Sequence, residues 1–431
     1  MIAYIETTGG NNKYLSVLTA RADHEVAGFE EYWFGDERLT VSGNDVTAPT
    51  RYANRAFVYT HVGTAAQAAD AQLLLDTAGG WTINHRLRGV AYEHWKLLWT
   101  DGPDPDDNIW SDWHLDAVRC RVRGKPIYDT RDAATRYSAN PALMVRDYLT
   151  NKLGVASSEI NDTSFTNAAN VCEEQVNLTN TTQTFTASAS TDLLTLTAAL
   201  ENLRRGNVVR VSNSGGALPT GLAAATDYYV IPVGELTYKL ATSFANSMAG
   251  TAIDITGAGS GTQTLTLRSE PRYLAHGIIE DSDAPADVLR GLCSAMAGVL
   301  SYTGGTFEVY AGASGTSVMT LDEDDLAGPL EVVPRRSRQE IFNTVKATYV
   351  EPDQGYQPIT APVVTNATYV TNDGSATIVQ TIDLPFCDSP ARAQRLAKIQ
   401  LERARQQISV KYPTKIIGLR VKPWDVVAIT N

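Results

Sequence analysis

Between Leu178 and Leu267 the chain carries only nine charged residues in ninety, and no cysteine, histidine or tryptophan. A surface helix covers its outer face with polar and charged side chains, so a stretch this poor in charge is a poor source of helices. Thr, Ala, Gly and Asn dominate it instead. Strand-like runs such as Val208-Val209-Arg210-Val211, Tyr228-Tyr229-Val230-Ile231 and Thr262 to Leu267 alternate with turn clusters such as Asn213-Ser214-Gly215-Gly216. The pattern predicts a small, self-contained β domain at 178–267, inserted into a larger one.

The flanks are richer in charge and mixed in pattern. A length of 431 residues suits about three domains. The expected organisation is a β-rich N-terminal domain at 1–83 and a mixed α/β domain split into 84–177 and 268–335 by the insert. A C-terminal β-rich domain with one helix follows at 336–431. The fold class is α+β, β-rich and multidomain.

Local signals support that division. Ala65, Ala69 and Leu73 lie at helical spacing within Thr64 to Thr77, ahead of Gly79-Gly80. From Gly89 to Thr100, Ala91, Glu93, Trp95, Leu97 and Trp99 share one strand face by period two. Asn140-Pro141 opens a helix with Ala142, Val145, Leu149 and Leu153 on one side, and Ser164 is expected to cap a second one through Val176. Asp283 is expected to cap a helix carrying Val288, Leu292 and Met296, and Gly304-Gly305 makes a hairpin. Ile341 to Val350 and Ala376 to Leu384 read as strands. Ser389-Pro390 begins the clearest helix, with a stripe of Ala393, Ala397, Leu401, Ala404 and Ile408 and a polar side of Arg392, Arg395, Lys398, Arg403 and Arg405. The strand-like run from Ile416 to Ile429 stops abruptly at Asn431, which suggests a natural chain that continues.

Charge and motifs exclude several function classes. A net charge of −12 argues against a general nucleic-acid-binding surface, although local basic stripes remain open. The N-terminus has no signal-peptide pattern and no apolar run is long enough to span a bilayer, so synthesis in the cytoplasm is expected. Cys120, Cys172, Cys293 and Cys387 lie far apart, as small buried apolar residues would. No nucleophile elbow, Walker loop or zinc motif is present, and no catalytic, cofactor or metal residue is assigned. Gly257-Ala258-Gly259-Ser260-Gly261 precedes a strand, so it reads as a turn rather than a phosphate loop. Asp101, Asp104, Asp106 and Asp107 lack calcium-loop spacing and read as a solvated turn, and His85, His94 and His114 have no metal spacing.

One constellation stands out. In Val118 to Arg123, Val118, Cys120 and Val122 alternate with Arg119, Arg121 and Arg123. The cationic face is either an ordinary solvated strand face or a surface turned to a subunit interface or a DNA-conducting lumen.

Several segments together resemble a known family. Asn84-His85-Arg86-Leu87-Arg88-Gly89-Val90-Ala91-Tyr92, Val122-Arg123-Gly124-Lys125-Pro126-Ile127-Tyr128-Asp129, Asn140-Pro141-Ala142-Leu143 and Asp147-Tyr148-Leu149 are similar, in order, to the tail hub proteins of long-tailed (siphovirus-type) phages, the tip attachment or host specificity group. Arg338 to Val345, Asp383-Leu384-Pro385-Phe386 and Ala393-Gln394-Arg395-Leu396-Ala397 continue the series. Within the insert, Arg205 to Val211, Leu218-Pro219, Asp227 to Ile231 and Ala249 to Asp254 resemble a module of phage structural proteins.

The resemblance implies a non-enzymatic tail-tip hub with β-barrel-like domains. It would be a homotrimeric ring at the distal end of the virion tail, capping the tube within a baseplate-like tip. Implied partners are the distal tail protein, the tape measure protein and a tail fibre or receptor-binding protein, with DNA passing during ejection and the bacterial surface reached only indirectly. No cofactor is implied. The alternative reading is a glycan-binding or cell-wall-degrading phage tail protein, which needs a cleft with facing carboxylates or an aromatic platform.

Overall fold

A computed structural model of the chain describes residues 1–99, 109–110, 118–200, 202–335, 337 and 340–430. Strand, at 37%, outweighs helix, at 21%, so the α+β, β-rich class holds. The chain divides into two compact units. The first is Met1–Ile127 with Thr135–Tyr137 and Pro232–Tyr238; the second is Tyr128–Ala134, Ser138–Ile231 and Lys239–Asn431.

The first unit is built on strands β1 (Ile2–Thr8), β2 (Tyr14–Ala22), β3 (Gly28–Phe34), β4 (Glu37–Ser42), β5 (Asp45–Ala48), β6 (Ala56–His61), β7 (Ala91–Leu98) and β8 (Val118–Arg123). They form one open, curled sheet in the order β1-β2-β7-β6-β5-β4-β3-β8. Period-two alternation in β7 feeds two cores. Trp95 and Leu97 join Val17, Phe34, Val46 and Val58 on one face, while Tyr92 joins Leu18, Leu73 and Trp81 on the other. Glu93 shares the Trp95 face as expected and is fully buried. It is sustained there by Thr19 Oγ1 at 3.2 Å, Trp95 Nε1 at 3.2 Å and the Arg21 guanidinium at 2.8 Å. Trp99, expected on the same face, is exposed.

The helix expected over Thr64 to Thr77 is shorter, α1 (Ala71–Asp76), capped by Asp70, which accepts from Leu73 N at 2.7 Å. Residues 64–70 do not join it because Gln67 is committed elsewhere. Its side chain bonds Gly63 N and the carbonyls of Arg86, Leu87 and Val90, holding the segment as a loop.

In the second unit, Asn140 does cap α2 (Pro141–Asp147), accepting from Ala142 N at 3.1 Å. Helix α3 (Asp162–Glu173) is capped by Asn161 rather than Ser164, and Val176 lies in a strand, not on the helix. Between them, the chain turns back through Ser157–Glu159. Leu153, expected on the buried side of α2, is exposed.

The charge-poor segment forms a closed barrel. Its strands are β11 (Gln175–Ser188), β12 (Leu193–Leu196), β13 (Val208–Ser214), β14 (Tyr228–Pro232), β15 (Thr237–Ala241) and β16 (Thr262–Pro271), following a hairpin of β9 (Pro126–Asp129) and β10 (Ala134–Tyr137). The order β11-β12-β15-β14-β13-β16 returns on itself through β11 and β16, so no edge is left to pair with another chain. Phe185, Leu194, Val209, Val230, Leu240 and Leu265 fill the interior, and the short helix α4 (Phe244–Ala249) lies between β15 and β16. Gly257 to Gly261 is a turn ahead of β16. At Gly261, φ is +75° and a Cβ would lie 2.6 Å from Ser214 O, so only glycine fits. The strands extend slightly beyond the charge-poor stretch at both ends: Gln175 pairs with Pro271 and Val176 with Glu270.

After the barrel, α5 (Pro285–Ser294) starts from Ala284 without a side-chain cap. Asp283 instead accepts from Glu280 N at 2.8 Å, closing the turn before the helix. The hairpin of β17 (Val299–Thr303) and β18 (Thr306–Tyr310) turns at Gly304-Gly305, both at positive φ. With α2, α3 and α5 it encloses Phe165, Cys172, Leu292, Met296 and Val309, all buried.

The C-terminal part contains β19 (Met319–Leu321), β20 (Glu331–Val333), β21 (Thr344–Glu351), β22 (Gln357–Thr360), β23 (Val364–Thr365), β24 (Val379–Leu384), β25 (Ser409–Lys411) and β26 (Val427–Ile429), with helices α6 (Ala367–Asn372) and α7 (Pro390–Arg405). β21 pairs with β22, β23 and, in parallel, β24, and α7 packs against it. Ser389 caps α7 through Arg392 N at 3.3 Å. Two expectations for α7 fail: Arg392 is buried at 1% exposure, and Ile408 lies beyond the helix end and is exposed.

Candidate functional site

The cationic stripe lies on the edge strand β8, and each guanidinium meets an acceptor within the first unit. Arg119 donates to Gly35 O and to Asp36 at 2.8 Å. Arg121 reaches Glu30 at 3.2 Å and Glu31 at 2.7 Å, and Arg123 lies 3.4 Å from Glu30. The register Trp33↔Arg119 and Glu31↔Arg121 sets acids of β3 beside them. Cross-strand ion pairs of this exposure contribute about 0.2–1 kcal/mol each. Long-range neutralisation from residues 83 to 93 positions away has no local signal.

Sequence spacing also missed a buried cluster on the outer face of the same sheet. Asp70 lies between His61, whose Nε2 is 2.8 Å from it, and His94, whose Nδ1 is 3.3 Å away. His61 stacks on Tyr92 and His94 on Tyr59. Burial favours the neutral acid, yet the bonds from His61 and Leu73 N, with the His94 ring close by, hold the Asp70 carboxyl well below the usual carboxylate range. His85 sits apart, tilted against Trp81. His114 and the cluster Asp101, Asp104, Asp106 and Asp107 fall outside the described residues.

The densest electrostatic knot is in the second unit, where the barrel's last strand meets α7. Glu270 on β16, fully buried, accepts from Ser389 Oγ at 3.0 Å and Arg395 Nη2 at 2.9 Å, with Arg392 Nε 3.5 Å away. Arg392 Nη2 is 2.8 Å from Asp388, an ion pair by distance without hydrogen-bond alignment, and His276 Nδ1 is 3.1 Å from Asp388. Burial would raise the Asp388 carboxyl, but His276, Arg392 and Arg204 hold it well below the ordinary range. Beside the same knot, Arg204 bonds Glu351 at 2.7 Å and Asp353 at 3.0 Å. These contacts fix the barrel to α7 and β21.

All four cysteines are free, and burial pushes the Cys293 and Cys387 thiols up to about 11, away from thiolate reactivity. Among the described residues no group of three or more His, Cys, Asp or Glu is placed to hold a metal ion, and no helix is long and apolar enough to cross a membrane. Two grooves stand out. One of about 430 Å³ is lined by Pro334, Arg335, Arg405, Gln406, Gln407 and Ile408; the other, of about 250 Å³, is lined by Ala66, Gln67, Ala68, Ala69, Leu74, Ile83, Arg86 and Arg88. Neither lining includes a carboxylate. In the barrel, Tyr229 and Phe244 are half-buried and Phe185, Tyr228 and Tyr238 are buried, so its described residues present no exposed aromatic platform.

The C-terminal strands differ. Among the described residues β19 pairs only with β26 and β20 only with β25, three residues per strand. Around them Leu330, Val332, Val333, Ile416, Leu419 and Trp424 are exposed, Ile416 at 83% and Leu419 at 84%. An apolar surface of this kind marks an interaction face more often than a solvated one.

Residues 284–431 match the family described as putative phage tail protein, Phage-tail_3. The whole chain superposes on 75% of a chain from the virion of a native gene transfer agent particle, with a TM-score of 0.51 at 15% identity. A 43 kDa tail protein of prophage MuSo2 from Shewanella oneidensis aligns over 60% of this chain and 89% of its own at 14% identity, with a TM-score of 0.25, too low to bear on the fold. No curated protein matches the chain in sequence. The C-terminal third thus matches a phage-tail family model, and the chain's fold is similar to that of a chain of the gene transfer agent virion.

Proposed function

We propose that this chain is a structural, non-enzymatic subunit of a phage-type tail, acting as the hub of the tail tip. In this reading three copies form a ring that caps the distal end of the tube. The ring joins the distal tail protein and the tape measure protein above to a receptor-binding fibre below. The observation that carries the reading is the fold likeness to a virion chain over the full length of this one, supported by the tail-family match of residues 284–431.

The surface chemistry agrees with an assembly role. Obligate subunit interfaces are large and apolar, and the exposed Val, Ile, Leu and Trp side chains around β19, β20, β25 and β26 offer such a surface. The mechanism is symmetric closure of the ring, followed by its opening to release the tape measure and pass DNA; the bacterial surface is reached through the fibre.

Light scattering and electron microscopy of the purified chain test the reading. A particle of three copies with threefold symmetry is expected. A monomer that persists at high micromolar concentration would sink the proposal.

A further inference from the structure

The smaller groove in the first unit is a preset shape. Gln67, buried at 7% exposure, ties its two walls together, donating to the carbonyls of Arg86 at 3.1 Å, Leu87 at 2.8 Å and Val90 at 3.2 Å while accepting from Gly63 N at 2.7 Å. Gly63 permits this closeness: φ is +86° and a Cβ would sit 2.9 Å from Ala91 N and His24 O. Ala66, Ala69, Leu74 and Ile83 give the groove an apolar floor, and Ile83 is 67% exposed.

Its rim is cationic, with Arg86 and Arg88 in the lining. Arg86 uses Nε on Ile83 O at 2.9 Å; its Nη groups and the whole of Arg88 have no partner among the described residues. At about 250 Å³ the groove is smaller than an ordinary small-molecule pocket, which runs from about 300 Å³. It suits one or two branched apolar side chains followed by carboxylates.

The second unit carries such a segment. Ile278-Ile279-Glu280-Asp281-Ser282-Asp283 joins β16 to α5, and Ile278 is 87% exposed. The Asp283 bond to Glu280 N folds the acids into one tight turn immediately after the isoleucines. Lys152 pairs with Asp281, while among the described residues the Glu280 carboxylate meets only the Ser282 hydroxyl at 3.4 Å.

We propose that this loop of one copy seats in the groove of a neighbouring copy, Ile278 on the alanine floor and Glu280 and Asp283 against Arg86 and Arg88. The inference rests on the self-association proposed above and deepens it. Donor and acceptor surfaces differ, so the contact is head-to-tail, and repeated by a rotation that closes it makes a ring. Opposite charge at the rim selects partner and register.

Charge exchange tests it. By sedimentation, R86E/R88E and E280K/D283K are each expected to raise the concentration of half-assembly at least tenfold, and their combination in one chain is expected to restore assembly. The conservative pairs R86Q/R88Q and E280Q/D283N, checked for wild-type circular dichroism, should weaken assembly in the same direction if a reversed pair fails to fold. A wild-type chain that stays monomeric defeats the assembly reading itself. A wild-type trimer unaffected by either pair, or a combination in which the defects add, overturns this contact alone. A duplex DNA probe bound at the groove and lost in R86Q/R88Q without any change in assembly also overturns it.

Discussion

The closed barrel and the C-terminal strands are both β-structure, but they meet the cost of exposed backbone and apolar surface in opposite ways. In the barrel every strand has two neighbours, and Leu194, Val209, Val230 and Leu265 lie within 2% of complete burial. Around β19, β20, β25 and β26 each three-residue strand has one partner, and Leu321 is the buried anchor beside largely exposed Val, Ile and Leu. A two-stranded piece is marginally stable in water. Closure leaves one region without an open strand edge, while the other keeps both strand edges and apolar side chains exposed.

Three substitutions break or sharpen that contrast. The largest effect is expected where the barrel is fastened to its host. Arg392→Ala leaves Glu270 and Asp388 buried with diminished compensation, and urea unfolding should register a loss of about 3–5 kcal/mol. A loss under 1 kcal/mol would mean that the knot does not fasten the two parts.

Next comes the barrel interior. Leu265→Ala removes a fully buried side chain and should cost about 2–5 kcal/mol, with hydrogen exchange accelerated in 175–271 and unchanged in α7. Acceleration spread evenly over both would erase the distinction between them. The smallest effect belongs to the open region. Leu419→Ser should change the stability of the isolated chain by no more than ~0.5 kcal/mol, yet weaken its assembly by light scattering. A large destabilisation of the isolated chain would show that Leu419 already serves a core.

What the sequence disclosed followed how local each cause is. Turn and cap chemistry acts over three or four residues, so Asn140-Pro141, Ser389-Pro390 and Gly304-Gly305 were legible, as was the alternation of Trp95 and Leu97. Composition over ninety residues located the barrel strands. The errors came from remote partners. Arg392 reads as the polar side of α7 until Glu270, 122 positions earlier, is brought against it. Residues 64–70 read as helix until Gln67 finds the carbonyls of 86–90. Asn161 displaced Ser164 because both are competent caps one turn apart, and only packing selects between them. The acids that meet Arg119, Arg121 and Arg123 were equally remote, whereas the alternation of the stripe itself was plain.

The pairing of Gln175 with Pro271 and Val176 with Glu270 sets the barrel's entry and exit side by side. To the host, the whole module is therefore a detour that leaves and returns at one doorway. A graft at that doorway of a domain whose termini emerge as adjacent antiparallel strands is expected to leave α3 and Tyr273 in place, and a chimera that fails to fold would show that the barrel is not separable. The graft must keep Glu270, because that carboxylate belongs to the host's interior even though it travels on the visitor's last strand.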